Sequence, residues 1–418
     1  MSTTERDYTV GVAGEEHRPE PPTRHHQIVV VGGGTGGIAV ASMLSRKLRE
    51  PDLAIVEPSE WHYFQPQWTF VGGGVVKKEQ TRRPQARVTP RKAQWIREAC
   101  AGFEPERNEI VLEGGGRVGY DYLVVAPGIQ LNWTQVRGLS ADLVGTNGIC
   151  SNYLYEGSEG TWRTLQEFKG GTAVFTMPPP PIKCAGAPQK IAYLADDHFR
   201  RRGVRDGSRI VYAAGTPGIF SVKEFAKTLN EVIARKGIET MYMQKLTEIR
   251  PEAKQAVFEH VETGEETVLD YDMIHVTPPQ GPPDVVKTSP LANEGGWVDV
   301  DRNTLQHVRY PNVFSLGDAS SCPTSKTGAA VRKETPVLVE NLLATMRGED
   351  ASRFASYDGY AGCPLVTGYG KLVFAEFDYD LKPTPSFPFD TTKERRSMYL
   401  VKRYGLPFLY WNLMTKGR

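Results

Sequence analysis

The chain has 418 residues, 39% hydrophobic and 24% charged, enough for two or three domains with their own cores and no need of disulfide or metal staples. Its 50 Lys plus Arg against 49 Asp plus Glu exclude a global field for nucleic acid, and five cysteines without a CxxC argue against a disulfide framework or a zinc site. No run of 18 apolar residues occurs, which excludes a spanning helix and leaves attachment to a membrane surface open.

Residues 1–26 are polar, carry Glu5, Asp7, Glu15, Glu16 and Glu20, and read as a disordered tail instead of a signal or transit peptide. A first nucleotide-binding domain is expected over 27–135 and again over 290–350. It opens with the buried-strand pattern Gln27-Ile28-Val29-Val30-Val31, a glycine cluster and a helix over 38–48. A second strand, Leu53-Ala54-Ile55-Val56, runs into Glu57, and further strands are expected over 109–112 and 122–126. A second Rossmann-like domain is expected over 136–289, with strands over 172–176, 209–212, 240–244 and 273–276. The chain then returns through Asn312-Val313-Phe314-Ser315-Leu316 to Gly317-Asp318 and ends in an aromatic and basic region, 351–418. The fold class is α/β: two Rossmann-like domains of the FAD/NAD(P) type plus a C-terminal membrane-associating region.

Gly32, Gly34 and Gly37 satisfy GxGxxG within Gly32-Gly33-Gly34-Thr35-Gly36-Gly37. Gly32 permits the tight turn, Gly34 lets backbone approach a pyrophosphate, and Gly37 lets the helix pack on the strand. The phosphate then lies at a helix N-terminus, where amide donors are free. A glycine cluster alone would also fit a plain surface loop. Here a strand precedes it, a helix follows it, and Glu57 stands 20 residues beyond Gly37, at the offset of a carboxylate that accepts ribose hydroxyls. The strand and turn ending Ala126-Pro127-Gly128, and the later Gly317-Asp318, resemble the two secondary fingerprints of two-dinucleotide-fold flavoproteins. That resemblance implies FAD, with the Asp318 carboxylate on the ribitol. A helix N-cap is the alternative for Asp318, and one carboxylate can serve both roles.

The second domain keeps only part of a fingerprint in Ala213-Ala214-Gly215-Thr216-Pro217-Gly218, with proline where an amide donor could be needed. The next strand ends near Gln244 without the acid expected for NAD or an arginine for NADP, so a working nicotinamide site is not expected.

No cysteine lies between Gly32 and Cys100, which disfavours the common flavin disulfide reductases. Cys184 follows a polyproline segment containing Pro178 to Pro181 and precedes Pro188, suited to the first turn of a helix stopping at Gly203. Beside Lys183 and just ahead of a helix N-terminus, its surroundings favour a thiolate. For Cys184 and for Cys363, in Tyr360-Ala361-Gly362-Cys363, the alternative is a buried small hydrophobe.

The segments Lys183-Cys184-Ala185-Gly186-Ala187-Pro188-Gln189-Lys190, His275-Val276-Thr277-Pro278-Pro279, Pro323-Thr324-Ser325-Lys326-Thr327, Gly362-Cys363-Pro364-Leu365-Val366-Thr367-Gly368-Tyr369 and Phe408-Leu409-Tyr410-Trp411-Asn412 together resemble the sulfide:quinone oxidoreductases shared by mitochondria and some bacteria. The resemblance runs from about Ile28 to the C-terminus. It implies that Cys184 and Cys363 form a redox pair beside the isoalloxazine. Sulfide would attack at Cys363, leaving a persulfide there and releasing Cys184 as the thiolate that hands two electrons to the flavin. A sulfur acceptor such as sulfite, glutathione or a second sulfide would unload Cys363. The resemblance puts Gly34, Thr35, Gly36, Glu57, Gln65, Asp318 and Lys326 at FAD, with Lys326 favouring a reduced anionic ring. Gly32, Gly37 and Gly128 are expected to shape the loops around the cofactor, and the resemblance implies that the Cys100 backbone lends itself to the adenine pocket. Ile129-Gln130-Leu131-Asn132-Trp133 lacks the third cysteine of the other relatives, so a two-cysteine mechanism follows. Cys150 and Cys322 are expected to be structural, and no metal is expected.

Residues 393–418 hold seven Lys or Arg against one acid, interleaved with aromatic and aliphatic side chains at helix-like spacing around Pro407. Such a helix suits an anionic membrane interface. An ordinary core helix with snorkelling Lys and Arg is the alternative. The resemblance favours monotopic attachment and a channel for a membrane quinone, ubiquinone or menaquinone, with Phe374, Phe377, Phe408 and Trp411 as candidate lining residues. The acidic tail suggests a bacterial protein, peripheral on the cytoplasmic membrane and facing the cytoplasm, with no nucleic acid partner. A type II NADH:quinone dehydrogenase and a non-catalytic redox-sensing flavoprotein are the rival readings.

Overall fold

A computed structural model describes residues 24–418. Ile28, Val29, Val30 and Val31 are all buried, as a central parallel strand covered on both faces requires. The Arg24–Val31 strand pairs in parallel with Leu53–Val56 on one side and with Arg117–Val125 on the other. Ala93–Ile96 extends the sheet beyond Leu53–Val56. Along the other edge of Arg117–Val125 lie the antiparallel Glu109–Leu112, followed by Cys100–Glu104, and the parallel Val313–Ser315. Each buried aliphatic side chain of this sheet contributes about 1.5–3 kcal/mol by leaving water.

Several element boundaries differ from expectation. Arg24, His25 and His26 pair with Val118, Gly119 and Tyr120, so the ordered strand begins before Gln27. Their polarity suggested tail because this end of the strand is solvent-facing, and His26 uses it to bond Asp52 at 2.6 Å. The remainder of the expected tail, 1–23, lies outside the described residues. The first helix spans Thr35–Lys47, so Gly36 and Gly37 belong to its first turn.

The second sheet is wholly parallel, in the order Ile149–Cys150, Met273–His275, Gly171–Met177, Ser208–Ala214, Glu239–Tyr242. The strand expected to run to Gln244 stops at Tyr242, and Met243 turns the chain at φ 59°. Gln244–Arg250 then opens an antiparallel meander with Gln255–His260 and Glu266–Asp270 that the sequence reading had not separated.

After Val313–Ser315 the Gly328–Met346 helix packs against the Thr35–Lys47 helix. A buried hairpin follows, Ala361–Gly368 with Lys371–Phe377, pairing Cys363 with Ala375. The chain ends in a helical run made of Arg396–Leu400, a π-turn at Val401–Gly405, and Leu406–Asn412 with Pro407 in its first turn. Among the described residues no helix is long and apolar enough to cross a membrane, and no His/Cys/Asp/Glu group could hold a metal ion.

Candidate active site

The glycine loop is fixed by contacts that tolerate no side chain. A Cβ on Gly37 would lie 1.8 Å from the Gly32 carbonyl oxygen, and Gly32 itself adopts φ +100° against Ala126. At Gly34 and at Gly128 an added Cβ would meet nothing within 4 Å, so loop and turn present bare backbone to open space. The Thr35–Lys47 helix starts here with no side-chain cap, leaving its first amides available to a phosphate. Glu57 accepts from the Gly33 amide at 2.7 Å and the Ser59 amide at 2.8 Å, one on each oxygen, and each oxygen keeps a lone pair for a hydroxyl. Burial raises the Glu57 pKa, against those two bonds. This donor and acceptor set fits the ADP half of a dinucleotide.

The flavin end is assembled around Lys326. Its ammonium donates to the Asp318 carbonyl at 2.7 Å and the Ser320 carbonyl at 3.0 Å, 4.0 Å from the Trp297 ring centre. Residues 183 and 326 bridge in parallel, the Cys184 amide donates to the Lys326 carbonyl at 2.9 Å, and Lys183 Nζ donates to Gln65 Oε1 at 2.8 Å. Gln65, Lys183, Asp318 and Lys326 are thus drawn into one cluster. Asp318 lies in the short turn Gly317–Ala319 and caps no long helix. That role falls to Thr327, whose Oγ1 accepts from the Ala330 amide at 3.1 Å. Desolvation raises the Asp318 pKa, opposed by the charges of Lys326 and Lys183, and among the described residues its carboxylate has no hydrogen-bond partner. A carboxylate with free acceptor capacity beside two ammonium groups fits the ribitol and an electron-accepting ring. Cys100, in contrast, donates to the Gly102 carbonyl at 3.4 Å, and burial pushes its thiol up to about 12.

The two distant cysteines meet. Cys184 Sγ and Cys363 Sγ are 3.4 Å apart, both as free thiols. Cys184 holds a left-handed φ of 52°, a conformation a non-glycine residue keeps only where the surroundings impose it. The imposing contacts are its amide on Lys326 and its carbonyl on the Ala187 amide at 2.7 Å. Gly186 lets the loops close, since a Cβ there would be 2.6 Å from Cys363 Sγ and 2.3 Å from Leu365. The Ala187–Arg202 helix begins at once, with Pro188 in its first turn and a left-handed Gly203 after its last. Its far end is clamped to the hairpin, where Asp197 accepts from the Tyr369 amide at 2.8 Å, and Lys236 Nζ, at the end of the Lys223–Lys236 helix, donates to the same carboxylate at 2.5 Å.

Two residues that the sequence reading left without a role complete this site. Lys190 is buried and donates to Cys184 Sγ at 3.2 Å. It lies one turn inside the helix, and helical side chains lean back toward the N-terminus, where the cysteine sits. Lys402, 2% exposed, donates to the Pro66 carbonyl at 3.0 Å, and desolvation beside Lys190 lowers it to about 7 although both thiols oppose this. The Cys363 thiol held against it, with the Lys190 and Lys402 charges, draws Cys184 well below the ordinary thiol range despite burial. Cys363 is displaced upward by the same contact with Cys184 and by its own burial. Burial, joined at Cys322 by the Glu334 charge, drives Cys150 and Cys322 to about 12, as suits structural thiols.

In the second sheet, a Cβ on Gly215 would stand 2.5 Å from Pro179, so the polyproline segment lies against the incomplete fingerprint.

The four aromatic candidates for a quinone channel do not converge. Phe374 and Phe377 are an odd number apart on one strand and face opposite ways, Phe374 onto Phe387 and Phe377 onto Phe220. Trp411 packs edge-on to Tyr410 and Phe64, while Phe408 is 62% exposed. The terminal run is two-faced: Arg396, Leu400, Tyr404, Phe408, Asn412 and Lys416 point outward, and Met398, Tyr399, Lys402, Tyr410 and Met414 are buried. One face of this segment is exposed and the other is packed into the core.

A family model described as pyridine nucleotide-disulphide oxidoreductase matches residues 26–155 and 191–340. A mouse protein named mitochondrial sulfide:quinone oxidoreductase is 45% identical over 94% of this chain and 87% of its own. The crystal structure of sulfide:quinone oxidoreductase from Aquifex aeolicus superposes with a TM-score of 0.78 at 21% identity, covering 95% of this chain and 92% of that one. A chain in the cryo-EM structure of the Tetrahymena thermophila mitochondrial ATP synthase superposes with a TM-score of 0.83 at 20% identity, covering 98% and 99%, a likeness of fold.

Proposed function

The chain belongs to the sulfide:quinone oxidoreductases, flavin-dependent enzymes of the pyridine nucleotide-disulphide oxidoreductase family that oxidise sulfide and reduce a quinone, and we propose that Cys184 and Cys363 are the redox pair through which it does so. The observation that carries this reading is the 3.4 Å approach of the two sulfurs with Lys190 on one of them.

In the oxidised pair the sulfurs close to about 2.05 Å as a disulfide. Hydrosulfide attacks the Cys363 sulfur. A new S–S bond forms there, the bond between the cysteines breaks, and the electron pair leaves on Cys184 as a thiolate. Lys190 stabilises that leaving group, and a low-pKa thiol leaves faster. Lys190 and Lys402 together make the site cationic and favour an anionic sulfur nucleophile. An acceptor of the sulfite, thiol or sulfide class then takes the outer sulfur and leaves Cys363 as a second thiolate. The two thiolates lose one electron pair as their bond re-forms.

Gly34, Thr35, Gly36, Glu57, Gln65, Asp318 and Lys326 would hold FAD, with Gly32, Gly37 and Gly128 shaping its cradle and the Cys100 backbone at the adenine. When bound, FAD supplies the two-electron acceptor chemistry that links the cysteine pair to a membrane quinone, ubiquinone or menaquinone. The outward Leu400, Tyr404 and Phe408, flanked by Arg396 and Lys416, support peripheral attachment to the membrane that carries the quinone. The mitochondrial name of the mouse relative lends nothing to a bacterial, cytoplasmic-face assignment.

Rapid mixing of the flavin-loaded protein tests the reading. Sulfide should bleach the flavin, added quinone should restore it, and Cys184→Ser or Cys363→Ser should each abolish sulfide-driven turnover. Bleaching by NADH and not by sulfide, or full activity in either serine variant, would overturn it.

A further inference from the structure

Tyr410, buried on the Leu406–Asn412 helix, brings its hydroxyl to 2.9 Å from Thr35 Oγ1 and 2.5 Å from His62 Nε2. The buried His62 places Nδ1 2.9 Å from the Gly33 carbonyl oxygen. The protons in this chain can be assigned. A carbonyl only accepts, so His62 Nδ1 carries the hydrogen. Burial lowers the His62 pKa to about 4, so at neutral pH its Nε2 is an acceptor. Tyr410 therefore donates to His62, and Thr35 donates to Tyr410. The chain begins and ends on the glycine loop, at Thr35 and at Gly33.

Other contacts tie the same terminal segment around the nucleotide domain. The Tyr410 ring stacks on Phe64 at 4.3 Å, Ser42 Oγ donates to the Thr415 carbonyl at 3.0 Å, and Lys416 Nζ donates to the Arg87 carbonyl at 3.1 Å. At its start, Lys402 and Gln67 connect it to the stretch beside Gln65, through the Pro66 and Arg403 carbonyls. The segment thus touches both ends of the cofactor-binding surface, where Thr35 and Gln65 stand.

We propose that the C-terminal segment is a latch on the cofactor loop, in which Tyr410 is a positioning residue that sets Thr35 and Gly33 for FAD, so that FAD and the docked segment stabilise each other. This rests on the FAD reading above. Tyr410 contacts Thr35, His62, Phe64 and Trp411, and neither cysteine is among these partners. Replacing it with phenylalanine keeps the stacking on Phe64, strands His62 Nε2 and frees the Thr35 hydroxyl to rotate. Loss of one buried hydrogen-bond partner of this kind corresponds to about tenfold in affinity. The coupling is reciprocal by linkage: whatever the segment adds to FAD affinity, FAD adds to docking of the segment.

The test uses the full chain, stripped of flavin and re-titrated with FAD. Tyr410→Phe should weaken FAD binding about tenfold, Thr35→Val should weaken it comparably, and the double variant should lose less than the two single losses combined. In the unaltered protein, amide exchange over residues 406–417 should slow when FAD is added, a readout needing no substitution. Additive losses, unchanged FAD affinity in Tyr410→Phe, or exchange indifferent to FAD would each overturn the latch while leaving the cofactor reading intact. Failure of the unaltered chain to take up FAD would overturn both.

Discussion

Lys190 donates to the sulfur of Cys184 at 3.2 Å and is itself buried, so a thiolate on Cys184 has a fixed counter-ion. The contact raises the Lys190 pKa through both cysteines, against a large desolvation effect. Each group thus holds the other in its charged form. Replacing Lys190 with methionine preserves bulk and removes the charge. The Cys184 pKa should rise, and sulfide-driven turnover should fall at least about tenfold near neutral pH. Lys190→Arg should keep much of the charge effect. The pH profile of Cys184 alkylation in a Cys363→Ser background reads the pKa directly, and an unmoved profile in Lys190→Met would refute the assignment.

Glu334 is 1% exposed on the Gly328–Met346 helix, and its Oε2 accepts from the Gly317 amide at 2.8 Å. Burial pushes its pKa to about 7, although that bond and the Lys326 charge pull the other way. A raised carboxyl pKa means that the folded protein binds a proton which the unfolded chain has released. The stabilisation is therefore present at low pH and is lost as pH rises from about 4.5 through 7. Glu334→Gln keeps an acceptor for the Gly317 amide and removes the titration. Between about pH 5 and 8 the variant should gain roughly 3 kcal/mol relative to the parent. Denaturant unfolding at the two pH values checks the sign. His62, lowered to about 4, and His275, lowered to about 3, work in the opposite direction, and both proteins share them.

What the sequence disclosed is what depends on local geometry. The run at Val29 to Val31, the glycines after it and Glu57 form a pattern whose physics is short-range, and the Gly186 and Pro188 region announces its helix start in the same way. The pairing of Cys184 with Cys363 rested on resemblance, because 179 residues separate them and no periodicity links one loop to the other. Lys190 and Lys402 were missed for a different reason. Lysine is almost always at the surface, so its count in a segment reads as solvation unless an anion is known to wait inside. The Gln244–Arg250 meander was obscured by the absence of clean alternation, since its residues are mostly half-buried on both faces. Arg24 to His26 were hidden because the solvent-facing end of a strand has the composition of a tail.

Leu400, Tyr404 and Phe408 recur every four residues on the outward face, 44%, 60% and 62% exposed. Three large side chains in register, with Arg396 and Lys416 at the ends of the stripe, form an amphipathic surface suited to an anionic bilayer. Each should contribute about 1.5–3 kcal/mol on insertion. The triple serine variant should therefore lose at least about 100-fold in partition to vesicles of phosphatidylcholine and phosphatidylglycerol. The rate at which sulfide bleaches its flavin should stay unchanged, because none of the three faces the cysteines. Vesicle sedimentation measures the first quantity. Equal partition of parent and variant would mean that attachment uses another face.

Gly34 and Gly37 lie in one motif and should fail in opposite ways. At Gly37 a methyl group would sit 1.8 Å from the Gly32 carbonyl oxygen, which is backbone and cannot swing aside. Gly37→Ala must therefore separate the Thr35–Lys47 helix from its strand, and it should destabilise even the flavin-free protein by about 3 kcal/mol. Gly34 has φ −74°, open to alanine, and its added methyl would meet nothing within 4 Å. Gly34→Ala should leave the flavin-free melting temperature unchanged. Its cost should appear only on titration with FAD, because the methyl group occupies the approach that the motif reserves for a pyrophosphate. A tenfold or greater loss of FAD affinity, with stability intact, is the expected result. If Gly34→Ala bound FAD as the parent does, the phosphates would have to lie elsewhere than against this loop, and the open space in front of Gly34 would need another occupant.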